Sequence, residues 1–303
     1  MRYPIIAGNW KMHLGRVDEA LAFVRHIRRR LNEIEGVERV LCPPFTVLAA
    51  VAEALRPTHI GLGAQTMHWE DQGAYTGEIS PGMLVGLCQY VILGHSERRT
   101  GRVADPSTSL RVTDPRHSER SEESRFTWSR DPSTQGAVSD PGAEIIVESD
   151  AAVNHKVHAA LAHGLTPIIC VGENLAQNEA GQTHEFVGAQ VRAALAGLPA
   201  REVERCVIAY EPLWAIGTGK AATPADANRV IGLTIRGTIA ETFGEAIAQA
   251  VRVQYGGSVS VENIAAFMAM PEVDGALVGG ASLKPDFVEL VRRAALIKKK
   301  PGF

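Results

Sequence analysis

Residues 205–220, Arg-Cys-Val-Ile-Ala-Tyr-Glu-Pro-Leu-Trp-Ala-Ile-Gly-Thr-Gly-Lys, hold the densest chemistry in the chain. The apolar run 206–210 reads as a buried strand that delivers one carboxylate, Glu211, before Pro212 stops it. Leu213, Trp214 and Ile216 follow, then Gly217 and Gly219. Surface connections are usually polar. An apolar loop beside an acid therefore predicts that residues 213–220 close over a site and exclude water from it.

Other strand ends carry further candidates. Lys11 follows the first apolar run directly, in Gly8-Asn9-Trp10-Lys11. His95 follows Leu93-Gly94 at a strand end and opens a new turn, Ser96-Glu97-Arg98-Arg99. Two late runs end in paired glycines, Tyr255-Gly256-Gly257-Ser258 and Val278-Gly279-Gly280-Ala281. Such pairs let a backbone approach an oxyanion and present successive N–H groups to it. One pair is a common turn; two on consecutive strands suggest a phosphate site.

The elements that position these groups alternate regularly. Short β-rich runs fall at 5–7, 37–42, 60–64, 90–93, 166–171, 207–210, 251–255 and 275–278. Amphipathic segments lie between them, among them 17–32, 154–163 and 225–243. Eight such units predict a parallel (β/α)8 barrel rather than an open doubly wound sheet. Catalytic groups of such a barrel collect at the C-terminal ends of its strands, where all the candidates stand.

Residues 101–146 break this rhythm. They are rich in Ser, Pro, Asp and Arg, repeat Asp-Pro-Ser-Thr at 105–108 and 131–134, and keep no apolar period. They read as an insert within one domain spanning 1–303, with too little apolar content for a core of its own. Without them about 258 residues remain, near the roughly 250 usual for this barrel. The insert also holds a second His-Ser-Glu-Arg string at His117. No apolar strand precedes that copy, so His95 is the better candidate.

Composition narrows the function classes. The 303 residues are 45% hydrophobic with a formal charge of −3, which gives no sign of nucleic-acid or anionic-membrane binding. Cys42, Cys88, Cys170 and Cys206 stand apart in apolar stretches and read as reduced core residues of a cytoplasmic protein. No run reaches the roughly 20 apolar residues of a membrane span. Neither a metal-ligand cluster nor a dinucleotide Gly-x-Gly-x-x-Gly is present, so no cofactor is expected.

With these motifs in this order, the chain resembles the triosephosphate isomerases at both ends and nearly everywhere between, apart from the insert. The resemblance implies an aldose–ketose isomerase acting on dihydroxyacetone phosphate and D-glyceraldehyde 3-phosphate through an enediolate. It implies Glu211 as base, His95 as electrophile, and Lys11 as a fixed cation paired with Glu97. Triosephosphate isomerase is itself the standard example of a histidine held neutral for this purpose. Asn9 and Lys11 would contact substrate, and Gly217, Ser258, Gly279 and Gly280 its phosphate. The loop 65–81, containing Gly-Ala-Tyr-Thr-Gly-Glu-Ile-Ser, would insert its tip near Tyr75 and Thr76 into a second subunit, making a homodimer. Two other classes stay open on the sequence alone. Another phosphosugar enzyme on the same barrel would share the glycine pairs but not the full motif set. A non-catalytic barrel would have turned its insert into a binding segment.

Overall fold

The computed structural model describes residues 2–99, 148–215 and 222–298. The segment 101–146 with His117, together with Gly217 and residues 216–220 of the expected lid, lies outside the described residues.

Eight strands close into one parallel barrel in chain order: β1 Ile5–Asn9, β2 Glu38–Cys42, β3 Gly61–Ala64, β4 Tyr90–Leu93, β5 Thr166–Val171, β6 Val207–Tyr210, β7 Arg252–Tyr255 and β8 Gly275–Val278. β8 returns to β1 through the pairs Ile5↔Gly275 to Gly8↔Val278. The expected runs match within two residues at each end. β2, β3 and β7 each begin one residue late, and β1 runs on to Asn9.

The strands read as continuous apolar runs because both of their faces are buried. Successive side chains point to opposite faces. Ile5, Ala7, Val40, Cys42, Tyr90, Ile92, Ile168, Cys170, Val207 and Ala209 pack together inside the barrel. The alternate residues Ile6, Leu41, Val91, Leu93, Ile169, Val171, Ile208 and Tyr210 pack outward, in one core with the helices. All four cysteines are buried and unpaired.

The helices that bear on the site are α1 Val17–Asn32, α2 Phe45–Leu55, α3 Pro81–Leu84, α4 Ser96–Arg99 and α5 Asp150–Ala162. α1 buries Ala20, Val24, Ile27 and Leu31, one stripe at helical spacing. Its acids Asp18 and Glu19 sit in the first turn and Arg29 and Arg30 in the last, which suits the helix dipole. α5 starts at Asp150, where the Ser149 hydroxyl accepts the Ala152 N–H and caps it. Residues 225–243 do not form one regular helix. Pro224–Arg229 and Gly237–Phe243 are α-helical, and Val230–Arg236 between them is a π-helix. Arg236, at its end, is buried against Asp274 at 2.6 Å. Among the described residues, no helix is long and apolar enough to cross a membrane.

Candidate active site

The C-terminal strand ends surround a cleft of about 610 Å³ lined by Asn9, Lys11, His95, Glu211, Ser258, Gly279 and Gly280. Seven of the expected site residues therefore share one cavity. Glu97 joins it through Lys11, whose Nζ stands 2.5 Å from Glu97 Oε1. That pair is about a third exposed, where an ion pair contributes roughly 1 kcal/mol or less. Its effect is to place a cation rather than to stabilise the fold.

The Lys11 backbone is unusual, with φ of 51°. A non-glycine residue in the left-handed region is strained and persists only where its surroundings hold it. Two side chains do so. Asn9 Oδ1 accepts the Lys11 N–H at 3.0 Å, and Gln65 Nε2 donates to Lys11 O at 2.7 Å and to Cys42 O at 3.0 Å. Gln65, at the end of β3, was not singled out in the sequence. Its signal was there: a polar residue directly after an apolar strand, as Glu211 is.

Glu211 and His95 face each other, Oε1 to Nε2, at 3.1 Å. Both are almost fully buried. The second carboxylate oxygen of Glu211 accepts the Ser96 N–H at 3.0 Å, a contact from the opening turn of α4. Burial alone would raise the Glu211 pKa. The facing His95 and then the Ser96 N–H more than reverse this and hold it below the ordinary carboxylate value. Glu211 is an anion at neutral pH.

For His95, burial opposes the charged ring, while Glu211 and then Glu97 favour it. With Glu211 in contact the balance lies above the ordinary imidazole value. The Glu97 N–H, 3.3 Å from Nδ1, acts in the other direction because it needs a lone pair there. That contact fixes the tautomer, leaving the proton on Nε2, directed at Glu211.

Gly256 has a steric cause. A Cβ there would lie 2.8 Å from Glu211 Cγ and 3.3 Å from Tyr210 O, so any side chain would displace the carboxylate. Glu173 is a second residue that sequence reasoning passed over. Fully buried, it accepts Trp214 Nε1–H at 2.9 Å, the Tyr210 hydroxyl at 3.1 Å and Asn178 Nδ2–H at 3.1 Å. Its carbonyl takes the Leu213 N–H at 3.0 Å, fixing the turn that leaves Glu211. His13, Ser260 and Lys284 also line the cleft.

The triosephosphate isomerase family model matches residues 4–108 and 143–294. The chain belongs to the triosephosphate isomerase family. It is 48% identical over 285 residues to the triosephosphate isomerase of Chloroflexus aurantiacus, covering 94% of this chain and 96% of that one. It is 45% identical to that of Herpetosiphon aurantiacus, over 96% and 99% of the two chains, and 47% identical to that of Moorella thermoacetica, over 93% and 95%. The triosephosphate isomerase match passes over residues 109–142, which fall within the compositionally odd segment.

Proposed function

We propose that this chain interconverts dihydroxyacetone phosphate and D-glyceraldehyde 3-phosphate, with Glu211 moving the proton. The observation that carries the reading is the buried contact between Glu211 and His95 in a cleft that Lys11 also lines. An ionised, buried carboxylate is a competent base once a carbon acid is placed against it. Glu211 takes a proton from the carbon beside the carbonyl and returns it to the neighbouring carbon. The negative oxygen of the enediolate that forms between these steps meets His95 Nε2–H and Lys11 Nζ.

The histidine's two contacts explain how it serves. A substrate oxygen that takes the Nε2 hydrogen replaces Glu211 as its acceptor. The carboxylate that favoured imidazolium is then gone from the ring, while the Glu97 N–H on Nδ1 remains. His95 thus works as a neutral donor, aimed where charge develops. The phosphate belongs at the other end of the cleft, at Ser258 and the Gly279–Gly280 backbone, with Gly217 expected from the loop after Glu211. Asn9 contributes by holding Lys11.

The chain functions as a single barrel domain with 101–146 inserted in it, and as a homodimer through the loop around Thr76. Met12, Tyr75, Met83 and Val85 support the dimer. All are exposed apolar residues on the loop after β1, the loop after β3, or on or beside α3. Four buried, unpaired thiols suit a reducing cytoplasm. The purified protein should turn over both triose phosphates in an assay coupled to a nicotinamide dehydrogenase. Binding without turnover would favour the non-catalytic barrel.

A further inference from the structure

We infer that Arg99 is a positioning residue for the isomerisation, one guanidinium that sets His95 relative to Glu211. The inference rests on the isomerase reading above. The β4–β5 ladder ends at Leu93↔Ile169. One residue further on, Gly94 and Cys170 each present a carbonyl, and Arg99 spans the two. Its Nε donates to Gly94 O at 2.7 Å and to Cys170 O at 3.3 Å, and a terminal N–H donates to Cys170 O at 3.2 Å. The other terminal nitrogen meets Asp150 Oδ1 at 2.5 Å. The Arg99 side chain is 11% exposed, so these bonds are little diluted by water.

Each carbonyl leads directly to a reacting group. Gly94 precedes His95. Cys170 precedes Val171, whose carbonyl accepts the Glu211 N–H at 2.7 Å. The guanidinium therefore ties the histidine's turn to the strand that anchors the base, at the point where the sheet stops doing so. The guanidinium does this with N–H directions fixed in one plane, whereas an ammonium on a flexible stem would hold the two carbonyls less rigidly. Gly94 makes room for it. Its φ is 68°, and a Cβ there would lie 2.9 Å from both Arg99 Nε and the terminal nitrogen that bonds Cys170. Asp150, the first residue of α5, holds the guanidinium from beyond segment 100–147. The clamp therefore reaches the turn through space, without depending on chain continuity there.

The test is a kinetic double-mutant cycle between Arg99→Gln and His95→Gln. Arg99→Gln should lower kcat by about 10²-fold, the usual effect of misplacing a reacting group by roughly 1 Å. KM should stay within about twofold, because the phosphate is held on other strands. In the His95→Gln background the same change should lower kcat by clearly less, since the part of its effect that passes through the histidine is already lost. Arg99→Lys should fall between wild type and Arg99→Gln, and takes its place in the cycle if that variant does not fold. Equal losses in both backgrounds, or KM rising in step with the loss in kcat, would overturn the assignment. Failure of the isomerase reading shows separately, as an inactive wild type.

Discussion

Glu148→Gln should destabilise the protein by about 3 kcal/mol at neutral pH, and by about half that at pH 3. The native carboxyl is buried, and burial alone would raise its pKa. Lys156 and Arg98, each 2.6 Å from Oε1, more than reverse this and bring it from 4.5 to about 2. Gly94 N–H at 2.9 Å and the Thr66 hydroxyl at 3.1 Å complete its partners. The fall from 4.5 to about 2, at about 1.36 kcal/mol for each tenfold change in proton affinity, gives roughly 3 kcal/mol. Because the folded pKa is the lower one, this stability is complete above about pH 4.5 and is lost as the pH falls toward 2. Linkage leaves about half of it at pH 3. A direct estimate agrees: leaving buried Lys156 without its partner costs about 3–5 kcal/mol. Urea unfolding of wild type and variant at pH 7 and pH 3, at one fixed protein concentration, reads the difference at each pH. A difference that does not shrink on acidification would show that Glu148 acts by packing rather than by charge.

Three further outcomes follow from the same geometry. His95→Gln should lower kcat by about 10²–10⁴-fold, while His117→Gln stays silent; a large loss at His117 would reverse the choice between the two His-Ser-Glu-Arg strings. Ser258→Asp sets a charge beside the phosphate and should raise KM steeply for both triose phosphates. Inorganic phosphate should inhibit the wild type competitively, and a purely non-competitive pattern would remove that subsite. A direct join of Thr100 to Val147 should leave an active dimer. It puts Arg98 and Glu148 four residues apart, the spacing of an α-helical hydrogen bond, and the Glu148 N–H already donates to Arg98 O at 2.8 Å. Aggregation or a monomer would mean that the excised residues serve the interface.

The barrel was legible because its strands are buried on both faces and so stand out as short apolar runs, each followed by Gly, Pro, Gln or Glu. The site was legible for a related reason: in this fold most of the functional groups sit at the C-terminal end of an apolar run or within about four residues of it. Gln65 obeys that rule and was still passed over, since a glutamine opening a long loop looks ordinary until its amide is seen holding Lys11 O. The Glu148 and Arg99 clusters were less accessible. Setting residues 101–146 aside already joins the Leu93–Arg99 stretch to residues 147–150 in the sequence, but which side chains meet there, Arg98 on Glu148 and Arg99 on Asp150, shows only in the fold. The π-helical Val230–Arg236 left no mark either, because an apolar stripe drawn at 3.6 residues per turn over seven residues hardly differs from one drawn at a wider pitch.

The central claim is that Glu211 moves the proton, and Glu211→Asp tests it most directly. The shorter side chain keeps the charge but withdraws the carboxylate by one methylene, about 1 Å or slightly more, from a site whose other groups stay in place. The coupled assay should show kcat reduced by about 10²-fold in both directions with KM nearly unchanged, and thermal unfolding should show the same fold with a similar Tm. A Glu211→Asp enzyme that is equally well folded and within twofold of wild-type kcat would contradict the account.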